Sequence, residues 1–355
     1  MTVKAKLHII VPGLCGPLAA TDVLEKSVAC NAWLKRLSQA KNFNSATNLH
    51  DVLASIFHLK FNNDFPATAL TLLAKNLYHE NKHYMFADPV HLQADMNQAV
   101  LTSAEDLTIN EEESSQLLQA LNSHFKQDDL EYFAIDNKQW IVASNNAIDI
   151  KTTALVDAVS RNINFILPEG NDATRWRQLL TEAQMLLHAH EVNSHREDSA
   201  QDIINSLWFH GCGGLPDIDE LAFNNNKITS VCSDHSLLKG IADLVGSDYM
   251  PLPVNTSDYI QQLLVYKALA GNNNSLNVLH LSAMEHLVNY TDVSLWLDKL
   301  IMLLEQWLYP LITMANKNDI QIILYPCAGK KYYFSKYDFL KIWQQAKLEQ
   351  HVRCY

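Results

Sequence analysis

Residues 175–216 read RWRQLLTEAQMLLHAHEVNSHREDSAQDIINSLWFHGCGGLP, and the fold turns on how this stretch divides. Leu179, Leu180, Ala183, Leu186 and Leu187 recur at helical spacing, so the first part is an amphipathic helix with one buried face. A polar segment holding His188, His190, Asn193, His195 and Arg196 follows. Residues 205–209 then read as a short apolar strand entering a core, and Gly211, Gly213 and Gly214 permit a positive-φ turn or a close backbone approach. Polar side chains converge where the chain changes direction.

Outward from this stretch, the pattern is that of an α/β protein. Residues 6–11 form an apolar run ending at Pro12-Gly13, a buried strand that delivers a loop to the carboxyl edge of a sheet, where open α/β sheets bind ligands. Helical patterns cover 32–39, 47–59 and 66–81. From Tyr84 the character changes: MFADPVHLQADMNQAVL alternates as a strand or hairpin, TINEEESSQLLQALNSHF is a helix capped at Thr108, and LEYFAIDNKQWIVAS is a second hairpin. Residues 155–170 connect this unit back to the central helix. Beyond the glycines, strands at 227–232, 276–282 and 319–324 alternate with helices at 235–245, 257–269 and 294–315, which implies a largely parallel sheet flanked by helices. The amino-terminal strand joins that sheet. The expected organisation is an α/β core built from 1–82 and 171–355, with 83–170 as an inserted α+β domain.

Composition limits the functions open to such a chain. With 39 acidic against 27 basic residues the formal charge is −12, and no Lys/Arg run stands out, which argues against nonspecific nucleic-acid binding. A small anion can still be bound locally by clustered arginine and backbone N–H groups. No apolar run approaches the length of a membrane span, and the amino end resembles a buried strand rather than a secretion signal, so a cytoplasmic location with no membrane partner is expected. The six cysteines (Cys15, Cys30, Cys212, Cys232, Cys327, Cys354) show no CxxC and no regular framework, which fits reduced thiols.

HAHEVNSHRED (188–198) followed by NSLWFHGCGG (205–214) resembles the HPVN..R and N.WLWG.G pattern of archaeal-type cofactor-independent phosphoglycerate mutases, members of the alkaline phosphatase superfamily. It is more similar still to a bacterial branch of RpfE-type regulatory proteins. Further blocks agree in order: LHIIVPGLCGP (7–17), ADPVHLQAD (87–95), VLHLSAMEHLVNYTDVSLWLDKL (278–300) and IQIILYPCAG (320–329). The resemblance implies an alkaline-phosphatase-like core and an inserted domain that, in the mutases, closes over the substrate. It also implies Asn193, Arg196 and Asn205, with Gly211 and Gly213, as a ligand-binding group, an anion cradle beside a glycine turn. The competing reading makes Arg196 a helix-end cap and Asn193 a helix breaker.

The same resemblance implies a pair of divalent metals held by carboxylates and histidines, and here this chain departs from the pattern. The family's first ligand is the Asp of a DG pair after the first strand; this chain has Pro12-Gly13. Across the D-E-A-G-H-x-G-D string, Glu285 falls at the Asp, Val288 at the Gly, Asn289 at the His and Asp292 at the final Asp. Tyr325, Pro326 and Cys327 stand where a D-H pair follows the last core strand, and the stretch around Cys30 lacks the nucleophilic hydroxyl. The expectation is therefore a metal-site-degenerate, non-catalytic regulatory protein with no cofactor, binding a small phosphorylated or carboxylated metabolite or a protein partner. The alternative is an active mutase or phosphohydrolase using manganese or zinc in a rearranged site built from Glu285, Asp292, Asp234 and His235. A third reading, an interaction module with a filled cleft, is suggested by the bulk of Tyr325.

Other polar groups have structural readings beside functional ones. Asp88, His91 and Asp95 invite assembly into a metal site, yet on a strand Asp88 and His91 face opposite sides, and Asp88-Pro89 is a common turn opening. His188 and His190 point far apart on a helix, so zinc shared with His195 requires non-helical backbone. His210 with Cys212, and Asp234 with His235, are isolated pairs. The wide apolar face around Trp296, Leu300, Leu304 and Trp307 suits packing between the sheet and a neighbouring helix.

Overall fold

The structure, a computed structural model, describes residues 5–16, 28–95, 98–159, 161–225, 227–269, 275–289, 293–318 and 320–334. Its strands are, in order, Lys6–Ile10 (β1), Lys41–Asn44 (β2), Leu59–Lys60 (β3), His83–Asp95 (β4), Gln98–Ser103 (β5), Leu130–Ala134 (β6) and Trp140–Ser144 (β7). Ser206–Gly213 (β8), Asp217–Ile218 (β9), Ile228–Cys232 (β10), Asp248–Met250 (β11), Leu276–His280 (β12), Gln321–Tyr325 (β13) and Lys330–Phe334 (β14) follow. The chain divides into two compact units, residues 1–60 with 218–355 and residues 61–217.

The first unit is the expected α/β core. Its seven-stranded sheet runs β11-β10-β12-β1-β13-β14-β2. Strands β11, β10, β12, β1 and β13 are parallel neighbours, whereas β14 lies antiparallel to both β13 and β2. The first strand sits in the middle because Leu7, Ile9 and Val11 bury one face while Ile10 is buried on the other, and only a strand paired on both edges satisfies such a run. Leu7, Ile9 and Val11 pack with Trp33, Trp296 and Trp307 from the helices Val28–Gln39 and Val293–Leu303 and the π-helical turn Leu304–Leu308. The broad apolar face read from the sequence is thus core. Alternation puts His8, Ile10 and His280 on the opposite sheet face, with Ile10 opposite both His280 and Tyr325.

The second unit is antiparallel. Strand β4 carries β8 along one edge and β7 then β5 along the other, with β6 outside β7. Helix Ala173–His188 buries Trp176, Leu179, Leu180, Ala183 and Leu187 against Leu207 and Phe209 of β8. Here the structure corrects the expected boundaries at 83 and 170. The helix-to-glycine block belongs to the second unit, because β8 pairs with β4 over Tyr84–Val90 and so brings its own helix with it. The helix Glu111–His124 is capped by Asn110 rather than Thr108: Asn110 Oδ1 accepts from Glu113 N–H and Glu113 Oε2 accepts from Asn110 N–H, a reciprocal capping box. Asp88-Pro89 opens no turn either; both residues lie inside β4 opposite Trp208 and Leu207.

Candidate functional site

In the second unit, the polar segment of residues 188–205 makes an internal brace. The long helix ends at His188, and His190 starts a new helix, Glu191–Asp198, as its N-cap, accepting from Val192 N–H at 3.2 Å. Asn193 is buried; its Nδ2 donates to the carbonyls of Leu187 (2.7 Å) and Ile204 (2.8 Å), and its Oδ1 accepts from Ile204 N–H. Arg196, only 2% exposed, donates from Nε to Asp202 O at 2.8 Å, from Nη1 to Glu113 Oε1 at 2.9 Å and from Nη2 to Leu107 O. Asn205 pairs with the backbone of Leu92 in both directions, continuing the β4–β8 ladder with a side-chain amide. These groups spend their hydrogen bonds on their own unit, Arg196 on Glu113 and on the Leu107 and Asp202 carbonyls, and Asn193 and Asn205 on backbone groups. A buried guanidinium without such partners would carry a large desolvation cost, so the brace is what permits its burial.

Gly211 and Gly213 are packing positions. Gly211 has φ +68°, and a Cβ there would stand 3.0 Å from Ala67 Cβ; at Gly213, φ +145°, it would stand 3.0 Å from Pro66 Cβ. Their role is to let β8 approach the segment that opens the helix Ala67–Ala74. Beside them lies a pairing 122 residues apart in sequence: His210 Nε2 and Asp88 Oδ2 are 2.8 Å apart, both residues are buried, and Asp88 Oδ1 accepts from Trp140 N–H. Burial raises the Asp88 carboxyl above its ordinary range, opposed by the hydrogen bond from His210. Three other histidines of this unit do not converge: His91 Nδ1 bonds Ile203 O, His195 lies exposed beside Glu191, and His188 is exposed. The side chain of Asp95 lies outside the described residues.

In the first unit, the carboxyl ends of the parallel strands bring together the positions where metal ligands were sought. Pro12 and Gly13 follow β1, and the loop is pinned by Trp296 Nε1 donating to Gly13 O at 3.0 Å. Tyr325 ends β13 with its ring stacked on His8 (centroids 5.6 Å apart) and its hydroxyl 3.1 Å from His8 Nδ1. Burial, then the charges of Lys6 and Lys331, push His8 down to about 3, so it is neutral at pH 7. Pro326 follows, then Cys327 in the left-handed region at φ +57°. Glu285 stands in the loop beyond β12; Asp292 and the side chain of Asn289 lie outside the described residues.

A second group occupies the same edge at β10 and β12. Ser233 Oγ lies 3.0 Å from His280 Nδ1 and accepts from His235 N–H at 3.0 Å. His235 is the N-cap of the helix Ser236–Val245, its Nδ1 accepting from Leu237 N–H at 3.2 Å. The rings of His235 and His280 meet edge to face with centroids 6.0 Å apart. His280 is 1% exposed, and among the described residues its Nε2 has no hydrogen-bond partner. Burial, then the neighbouring His235, pushes His280 down to about 3; burial also lowers His235. Asp234 points aside, its Oδ1 accepting from Leu252 N–H. Sequence reading singled out Asp234 and His235 but passed over Ser233 and His280, since an isolated Ser and an isolated His on neighbouring strands leave no local signature.

Among the described residues, the donor set at these positions does not fit the metal pair implied by the resemblance. Proline offers no ligand atom at 12 or 326, the Tyr325 hydroxyl is engaged with His8 and held well above its ordinary range by burial, and among the described residues no three His, Cys, Asp or Glu groups are placed to share an ion.

Fold and site together define a mixed α/β protein, a mostly parallel sheet flanked by helices, carrying its polar groups at the carboxyl edge. No family model matches the chain. Over 142 residues it is 26% identical to the 2,3-bisphosphoglycerate-independent phosphoglycerate mutase of Methanosarcina barkeri, and over a stretch of the same length 28% identical to that of Methanosarcina mazei. Each match spans 39% of this chain and only 36% of the relative. This similarity marks the chain as a homologue of archaeal cofactor-independent phosphoglycerate mutases over that stretch. Among solved structures, the cofactor-independent phosphoglycerate mutase from Thermoplasma acidophilum aligns with 94% of this chain and 90% of its own at 14% identity, with a TM-score of 0.42. Among the described residues, no helix is long and apolar enough to cross a membrane.

Proposed function

We propose that the chain is a non-catalytic relative of the cofactor-independent phosphoglycerate mutases, a cytoplasmic regulatory protein of the RpfE type that binds a small phosphorylated or carboxylated ligand. The observation that carries the reading is the stacked Tyr325–His8 pair at the end of β13. Where the family's pattern calls for an Asp-His pair of metal ligands, this chain turns an aromatic ring onto the sheet face and ties its hydroxyl to a neutral imidazole. Losing one ligand of a metal site cripples it, and Pro12 removes a second in an independent loop. Phosphoryl transfer by the two-metal route then has nothing to position its charge.

The test is turnover. The purified chain is incubated with 3-phosphoglycerate and saturating manganese, then zinc, and the formation of 2-phosphoglycerate and of free phosphate is followed by phosphorus NMR. The expected outcome is neither product above the protein-free control; production of either one with metal, abolished by chelator, replaces this reading with a rearranged metal site.

A further inference from the structure

The outer strands of the second unit's sheet are closed by the chain itself. Asn122 pairs with the main chain of β6, its Nδ2 donating to Tyr132 O and its Oδ1 accepting from Tyr132 N–H, both at 2.7 Å, and Asn162 bridges to Val100 of β5. Strand β2, the last of the seven-stranded sheet, is different. All four of its residues are exposed, and among the described residues its only strand partner is β14. Ser45 N–H donates to Gly329 O at 2.9 Å, which sets the phase of the ladder. Counting back by two, Phe43 and Lys41 turn their main-chain groups to β14, whereas Asn42 and Asn44 turn theirs away from the sheet. Outward N–H and C=O groups of this kind are a template for another strand.

Charge decides which strand the edge can accept. The whole chain has 39 acidic against 27 basic residues, yet residues 28–50 hold Lys35, Arg36 and Lys41 and no acid, and β14 holds Lys330 and Lys331 and no acid. The register sets Lys41 opposite Tyr333 and Phe43 opposite Lys331, so these four side chains share one sheet face. On that face the Phe43 ring, 48% exposed, meets the Tyr333 ring edge to face with centroids 5.2 Å apart. A second copy pairing through the same edge would bring two Lys41 side chains together with the lysines of β14 behind each, and lysine on an edge strand disfavours such self-pairing. The same lysines favour carboxylates on an added strand, and Phe43 presents apolar surface to its alternate side chains.

We propose that β2 is a docking edge that takes up an extended acidic segment of a partner protein as a further strand of the seven-stranded sheet. The main chain of Asn42 and Asn44 makes the hydrogen bonds, and Lys41 and Lys331 supply the charge. This adds a protein partner to the small ligand proposed above and is independent of the state of the metal site.

The experiment uses the full chain and dye-labelled peptides of alternating glutamate and valine. Its controls are the same peptide with every backbone nitrogen methylated, a peptide of alternating lysine and valine, and oligouridylate. Fluorescence anisotropy at low salt reads binding, and hydrogen exchange locates it. The expected result is saturable binding of the acidic peptide below about 1 mM, with slowed exchange of the Asn42 and Asn44 amides and no binding of the methylated or lysine peptide. Asn42→Pro, which removes an outward N–H and leaves the β14 ladder its partners, weakens binding about fivefold or more, as does Lys41→Glu. No saturable binding, equal binding of the methylated or lysine peptide, or tighter binding of oligouridylate overturns the proposal with the unaltered protein alone. A dimer in sedimentation that Asn42→Pro dissociates overturns it as well, because a second copy then occupies the edge.

Discussion

Arg196 and His280 are both buried polar residues, and they meet that condition in opposite ways. Arg196 is ringed by Asp202 O, Glu113 and Leu107 O. Replacing it by methionine removes three hydrogen bonds and leaves the Glu113 carboxylate and two carbonyls without their donor, a change worth about 3–5 kcal/mol. Urea unfolding of Arg196→Met measures this; a loss below about 1 kcal/mol would show that the brace is incidental. His280 instead stays neutral. Its folded-state value near 3 lies below the ordinary 6.5, so the unfolded chain binds a proton that the fold refuses. The stability attached to this group is complete above pH 6.5 and is lost as pH falls from 6.5 toward 3. At about 1.4 kcal/mol per pH unit well below 6.5, the loss between pH 7 and 5 comes to about 2 kcal/mol. His280→Gln should flatten the urea midpoint against pH over that window; an unchanged slope contradicts the assignment. The sequence left the role of Arg196 open because a buried brace and an anion cradle need the same residues. What separates them is the partner, and Glu113 and Leu107 lie far away in the chain.

At the scale of elements, the helix–helix break at residues 189–190 and the approach of β8 to the helix Ala67–Ala74 organise the second unit. Gly211 serves that approach. An alanine there must hold φ +68° and place its Cβ 3.0 Å from that of Ala67, and the strain together with the displacement should cost about 1–3 kcal/mol. Thermal unfolding of Gly211→Ala is the check, and a stability within about 0.5 kcal/mol of wild type would mean that the backbone relaxes freely. The elements readable in sequence were those with a strong period: the helix from Ala173, the two hairpins of the second unit, and strands β1, β10, β12 and β13. Strand β2, Lys41–Asn44, was missed because all four of its residues are exposed and it carries no alternating apolar pattern to mark it. Strand β14 was missed because its pairing partners, β13 and β2, lie on either side of it in space and only one of them was itself visible. The cap lies two residues beyond Thr108 because Thr108 and Asn110 are both acceptable caps, and the choice falls to Glu113, which reaches Asn110.

For the whole molecule, the alternation of strand and helix beyond residue 227 specified a largely parallel sheet, and the apolar run at 6–11 could be buried only as an interior strand of it. That is how a core assembled from both ends of the chain was legible. The extent of the inserted unit was not, since it depends on β8 choosing β4 as its partner across more than a hundred intervening residues, a pairing that no local pattern announces. The candidate site was legible as a list of positions but not as an arrangement: the departures at Pro12, Tyr325, Pro326 and Cys327 could be read directly, whereas the His8–Tyr325 stack and the Ser233–His280–His235 chain required the strand order. The account's central claim is that these positions no longer form a two-metal centre. Its most direct test is the metal content of the full chain after incubation with excess manganese and zinc followed by desalting. The account predicts less than 0.2 equivalents retained (about, allowing for adventitious surface binding); about two equivalents retained per chain, the complement of a two-metal centre, would contradict it.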